Sequence, residues 1–229
     1  MGKKILILVF FSILHNIYGF DLQVTGRNIS LLFSPEYNRT FDFCWDISAV
    51  GAVEINNRHV LKSGLAMGAA GNVFDIKCFV DGELTFFPRF PVNLNVAYKY
   101  NGLPEYENHT HSIQSLVSLK RQRWGISLGC NFRFSVFYDD LLLFEPIGSF
   151  LVYIFIINND SLKLGLKAAN VSEFASNNFG DYFLNLNNLI YISRMIALNN
   201  EIEIRQSGSV ALAANFYGIV LRTGVLFSW

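Results

Sequence analysis

The stretch WGISLGCNFRFSV, Trp124 to Val136, decides the architecture. Its even positions are Trp124, Ile126, Leu128, Cys130, Phe132, Phe134 and Val136. Its odd positions are Gly125, Ser127, Gly129, Asn131, Arg133 and Ser135. A period of two sends large apolar side chains to one side of an extended chain and small or polar ones to the other. A helix would repeat every ~3.6 residues instead.

The pattern recurs on both sides of this stretch. From 41 to 56 the odd positions Phe41, Phe43, Trp45, Ile47 and Val53 are apolar, against Asp42, Asp46, Ser48 and Glu54. From 74 to 86 Phe74, Ile76, Cys78, Val80 and Leu84 alternate with Asp75, Lys77, Asp81 and Glu83. Residues 92–100 and 162–168 repeat it. A soluble sandwich also alternates, but its strands average ~5–6 residues, and these are longer. Their apolar faces would also expose more greasy surface than a soluble monomer tolerates.

Composition agrees. Apolar residues make up 52% and charged residues 16%, against ~25% charged in ordinary soluble domains. Mean hydropathy is +0.31. Yet after residue 19 no segment offers the ~18 uncharged apolar residues of a spanning helix; the closest, 141–157, contains Glu145 and Pro146. A closed β-barrel is the other structure that satisfies every backbone group inside lipid. At the N-terminus Lys3 and Lys4 precede the apolar run Ile5–Leu14, followed by small Gly19. This predicts a signal peptide over 1–19 and a single barrel domain over 20–229.

The expected fold is therefore all-β, a transmembrane antiparallel up-and-down barrel. Short connections are expected near 56–58, 88–90, 120–123, 158–160 and 198–200, and longer ones at 101–110, 137–146 and 170–180. Alternation of short and long connections, counted back from Trp229, gives strands near 211–229, 200–207, 181–197, 160–168, 147–157, 124–136, 111–120, 91–100, 73–87, 58–70, 40–56 and 21–33. That is about twelve, with ten or eight as alternatives. Parity also predicts that Leu128→Arg costs ~2–4 kcal/mol in lipid and that Ser127→Arg is much milder.

The chain ends GIVLRTGVLFSW, with Leu221, Val225, Phe227 and Trp229 on one parity. A final alternating strand closing on an aromatic residue resembles the C-terminal assembly signal of bacterial outer-membrane β-barrel proteins. The resemblance implies a cell outer-membrane location, reached through the cleavable signal peptide. It also implies outer-membrane lipid, periplasmic chaperones and the barrel-assembly machinery as partners. The loose end of the signal segment suits a spirochaete as well as a proteobacterium.

Parity assigns an inner face. Its acids are Asp42, Asp46, Glu54, Asp75, Asp81, Glu83, Glu201 and Glu203; its bases are Lys62, Lys77, Lys99, Arg133, Lys163, Lys167, Arg205 and Arg222. Acids dominate the strands around the closure and bases the facing wall. In one reading these groups line a narrow porin-like channel for small solutes. In another they pair across the lumen and plug it, leaving a structural barrel or a scaffold for surface loops. One arc departs from a polar interior: Leu151, Tyr153, Phe155 and Ile157 are inward and apolar. It is expected to pack against a loop folded inward, or to guide a hydrophobic solute.

Other chemistry is sparse. Cys44, Cys78 and Cys130 are an odd number at scattered positions, not a disulfide framework. His109 and His111, in EYENHTH with Glu105 and Glu107, are expected in an outer loop and lack a third fixed ligand for a metal. No strand-borne Ser/His pairing emerges, so the expectation is no enzyme, with an outer-membrane barrel hydrolase as the lesser alternative, and no metal or cofactor. Eighteen basic against eighteen acidic residues give no basic footprint for nucleic acid.

Overall fold

The computed structural model describes residues 24–38, 42–70, 73–86, 92–137, 142–174, 181–207 and 215–229. The signal segment expected over 1–19 lies outside them. Twelve strands run in order: β1 Val24–Asn38, β2 Asp42–Ile55, β3 His59–Ala70, β4 Val73–Thr85, β5 Val92–Leu103, β6 Asn108–Lys120, β7 Trp124–Val136, β8 Leu142–Asn158, β9 Leu162–Ala169, β10 Asp181–Tyr191, β11 Ile196–Ser207 and β12 Asn215–Ser228. Each pairs antiparallel with its sequence neighbours, and β1 pairs β12, so the sheet closes on itself. The seam runs from Asn38↔Gly218 to Asn28↔Ser228. Two further bonds extend it, Arg27 N to Trp229 O at 3.1 Å and Trp229 N to Arg27 O at 3.0 Å. Closure leaves no strand edge to satisfy in lipid.

The outer face is apolar. Phe43, Ile47, Val117 and Leu128 stand fully outward, Leu128 at 60% exposure. Their neighbours point into the barrel: Ser127 is 3% exposed and accepts a hydrogen bond from Ser118 Oγ at 2.8 Å. One patch of the outer face is polar. Asn188, Asn200 and Thr223 share one register across β10, β11 and β12. Asn200 Nδ2 donates to Asn188 Oδ1 at 3.4 Å, and Thr223 Oγ1 donates to Asn200 Oδ1 at 2.9 Å.

Several expected boundaries move. β1 continues to Asn38 rather than ending at 33, because Glu36 keeps the inward parity past Pro35. The expected loop 101–110 is mostly strand: β5 reaches Leu103, β6 starts at Asn108, and a 3-10 turn, Pro104–Tyr106, joins them. Glu107 closes this turn at φ 49°, a left-handed conformation that is rare outside glycine. The loop expected at 137–146 shrinks in the same way, since β8 begins at Leu142 and carries Pro146 opposite Phe132. The turn expected at 198–200 lies instead between β10 and β11, where Ser193 Oγ accepts from the backbone N–H of Met195 (3.2 Å) and Ile196 (3.1 Å). At 101–110 and 198–200 polar residues on the strands, Asn200 among them on the outer face, mimic a turn's composition, and at 142–146 Glu145 and Pro146 do. The end of the barrel holding residues 56–58, 121–123, 159–161, 192–195 and Trp229 is called the turn end below; the opposite end, holding Pro104–Tyr106 and the chain after β9, is the loop end.

Candidate solute-conducting lumen

The inward charges pair around the wall. Lys77 Nζ lies 2.6 Å from Asp75 and 3.9 Å from Asp46. Gly68 makes this cluster fit: a Cβ there would stand 2.8 Å from Asp46 Cβ and 2.9 Å from Asp75 Oδ1. Glu83 pairs with Lys120 and accepts from Asn93 Nδ2 at 2.6 Å, while Asp81 accepts from Asn95 Nδ2 at 2.5 Å. Arg133 holds Glu145 on the next strand through Nη2 at 2.6 Å and Nε at 2.7 Å. At the seam Arg205 bridges Glu36 (2.5 Å) and Glu203 (3.0 Å). Arg222 joins Glu203 (2.8 Å) to Glu201 (3.4 Å). Each of these pairs lies on one strand, on adjacent strands, or on strands separated by one.

The remaining inward bases meet other partners. Lys163 Nζ sits 5.4 Å from the Tyr191 ring centre and Lys167 Nζ 5.1 Å from that of Phe183, cation–π contacts within the ~6 Å range. Glu54 Oε2 would stand 3.2 Å from a Cβ on Gly26. Asp42 is in β2; its side chain lies outside the described set. Among the described residues acids outnumber bases on β11, β12 and β1 to β4, and bases outnumber acids on β5 to β9. The pairing within each wall neutralises much of that contrast locally. Glu36, Lys120, Glu145 and Glu173 join the charged interior although sequence reading placed them in turns or loops. For Glu36, Lys120 and Glu145 the signal was inward parity at or past the assumed strand ends; Glu173 follows β9 and has no such signal.

One segment does cross the lumen. After β9 the chain turns inward over residues 170–174. Asn170 anchors it to β8: its Oδ1 accepts from Phe150 N at 2.8 Å, and its Nδ2 donates to Gly148 O at 2.7 Å. The far contacts fall on the opposite wall. Lys99 Nζ donates to Ser172 O at 2.6 Å, Glu173 lies 3.6 Å from Lys62 Nζ, and the Phe174 ring meets Phe79 edge-on with centres 5.0 Å apart. The inward loop is thus the chain after β9, and it hangs from the backbone of β8. The aromatic arc of β8 packs otherwise. Tyr153 covers Gly125 and Phe155 covers Gly165, so closely that a Cβ on either glycine would lie 2.4 Å or 3.0 Å from the ring. These rings lie against the wall.

At the loop end a cleft of about 400 Å³ lies between β5–β8 and Phe174. Its polar lining includes Asn101, Ser112, Ser135 and the Arg133–Glu145 pair.

The histidines are not in a loop. His109 and His111 stand on β6 with outward parity, each Nδ1 bonded to a tyrosine hydroxyl: His109 to Tyr100 at 2.8 Å and His111 to Tyr98 at 2.7 Å. They form part of an aromatic rim, because the short turn at 104–107 leaves most of EYENHTH on the sheet. Cys44 faces inward and is buried; Cys78 and Cys130 take the outward parity. Of the residues expected to form an assembly signal, Leu221, Phe227 and Trp229 are exposed on the outer face, and Val225 shares their parity.

No protein-family model matches the chain, and no curated protein matches it either. Solved structures do. The translocator domain of the autotransporter NalP from Neisseria meningitidis aligns with a TM-score of 0.59 at 11% identity, covering 96% of this chain and 94% of that one. An outer membrane channel from Pseudomonas putida F1 gives 0.57 at 6% identity, covering 91% and 97%. The KdgM porin, solved in complex with disordered oligogalacturonate, gives 0.55 at 10% identity, covering 87% and 99%. At such identities the likeness is one of fold, and the fold of this chain is that of the bacterial outer-membrane β-barrels.

Proposed function

We propose that this barrel is a narrow, porin-like channel for small solutes, its lumen lined by the mixed charges named above and constricted near the loop end by residues 170–174. The loop end faces outward, as the alternation of connections in such barrels implies. The observation that carries this reading is the direction of the ion pairs. A plugged barrel would hold its charges together across the axis, whereas here they run around the circumference. Among the described residues the exception, Lys62–Glu173, belongs to the segment that crosses the lumen. Twelve strands stand between eight, whose interior fills with side chains, and sixteen, which leave an open channel.

Planar-bilayer recording of the refolded protein tests this. Discrete openings with weak ion selectivity are expected. Asn170→Ala, which removes both anchors of the crossing segment to β8, is expected to raise single-channel conductance. Silence from both proteins, once folded, would overturn the reading.

A second reading, a plugged structural barrel, has its own support. Asn131 and Asn185 are almost wholly buried inside the wall, at 0% and 2% exposure, so the interior is crowded. The same recordings decide between the two.

A further inference from the structure

We propose that the loop-end cleft binds a small, uncharged, polyhydroxylated solute, a sugar of one or two rings. The proposal does not require the barrel to conduct. It begins from an orphaned group: the Asn101 carboxamide oxygen is buried with no hydrogen bond among the described residues. A buried acceptor left unmade costs ~1–3 kcal/mol, and Asn101 lines the cleft. A turn of the carboxamide toward the cleft lets a solute hydroxyl supply the missing donor.

Lys99 also lines the cleft, but its Nζ is held by Ser172 O at 2.6 Å, and the other polar groups are of the same kind as Asn101. Thr110 Oγ1 and Ser135 Oγ share one long hydrogen bond at 3.3 Å. A hydroxyl has one donor and two acceptor sites, so this pair keeps capacity for a ligand. Arg133 and Glu145 form a fork, N–H donors beside carboxylate lone pairs, with no net charge between them. Such a fork gives to and accepts from neighbouring hydroxyls without demanding an ion. Phe174 supplies an apolar wall, and its edge-on contact with Phe79, at 87°, fixes the ring plane. Hydroxyls that both donate and accept, together with an apolar C–H face, are what a sugar presents. A carboxylate solute would meet Glu145, and an ammonium solute Arg133 and Lys99. At about 400 Å³ the cleft stands at the small end of ligand sites, ~300–1,000 Å³, which favours one or two rings over a chain.

Saturation-transfer NMR on the full barrel tests this, refolded in a detergent without a sugar headgroup. The probes are D-glucose and D-maltose, with glutamate and inorganic phosphate as charged controls. Saturation of the sugar C–H protons is expected, with none for the controls. Asn101→Leu should weaken binding about threefold to tenfold, the worth of one neutral hydrogen bond. Because it removes an orphaned group, it should leave the heat-modified gel shift of the folded barrel unchanged. Ser135→Ala provides a second, milder variant should Asn101→Leu fail to fold, and Phe174→Ala should lose more than either. No sugar binding, stronger binding of the charged controls, or sugar binding indifferent to Asn101, Ser135 and Phe174 would overturn the proposal. Sugar binding by a barrel that stays silent in bilayers would uphold this site and reject the channel. Openings without sugar binding would reject this site alone.

Discussion

An arginine scan along the outer face of β7 tests the membrane placement quantitatively. The strand has 13 residues; at ~3.4 Å per residue and a tilt of ~40° it rises ~31 Å along the barrel axis. Cys130 is at the middle. Outward neighbours two residues apart differ in depth by ~5 Å on the same rise and tilt. The apolar band of such barrels is ~25 Å tall, so Ile126 to Phe134 fall inside it and Trp124 and Val136 just outside. Arginine at 128 or 130 should therefore cost ~2–4 kcal/mol, and at 124 or 136 only ~0–1 kcal/mol. Urea titration of protein refolded into lipid vesicles, read by gel mobility, measures each variant. A flat profile, or one peaking at Trp124 or Val136, would refute the placement. The inner face offers no easy control, and here the structure revises the sequence expectation of a mild Ser127→Arg. Ser127 is 3% exposed and locked against Ser118, so an arginine there overpacks the wall at ~1–3 kcal/mol.

Three further outcomes are expected. Arg222→Met leaves Glu203, 2% exposed, with Arg205 as its nearest remaining cation; the loss should approach the ~3–5 kcal/mol of a broken buried pair and be partly recovered by adding Glu203→Gln, both read from urea midpoints. Replacing the outer polar patch by Asn188→Leu, Asn200→Leu and Thr223→Val should raise the midpoint in lipid, because hydrogen bonds between side chains in membranes are worth only ~0.6 kcal/mol each on average; a lowered midpoint would mean the patch is covered by something polar. Deleting Trp229 removes the two backbone bonds to Arg27 and should sharply lower the amount inserted into the outer membrane in cells while refolding in detergent persists; equal losses in both would refute an assembly role.

Parity carried most of what the sequence revealed. Strand existence and face followed from residue alternation, because lipid on one side and a polar lumen on the other enforce it at every second residue, while the count of about twelve also needed the spacing of the connections. Alternation lapsed where both faces are polar. Asn101, Asn108 and Thr110 stand on strands near the loop end yet read as loop, and Asn199 and Asn200 read as a turn although they lie within β11. The loop expected at 137–146 likewise hid Glu145, since a residue assigned to a loop has no face. The crossing segment was expected in general form but not at its place. Its contacts with Lys62, Phe79 and Lys99 join positions far apart in the chain, and no local pattern encodes them.

Bulk and charge are handled alike inside this wall. Tyr153 and Phe155 lie over glycines of neighbouring strands, so their rings spread along the sheet. The ion pairs also run along the sheet, with Gly68 giving way where Asp46, Lys77 and Asp75 gather. Both devices keep volume and fixed charge near the wall. Residues 170–174 do the reverse, reaching from β9 to the side chains of β3, β4 and β5. On the channel reading, resistance is therefore concentrated at that crossing. Substitutions in the segment or its far contacts, such as Lys62→Ala, should change conductance strongly, while removing a wall pair such as Arg133–Glu145 should change it little. A channel whose conductance responded equally to both would have its constriction elsewhere.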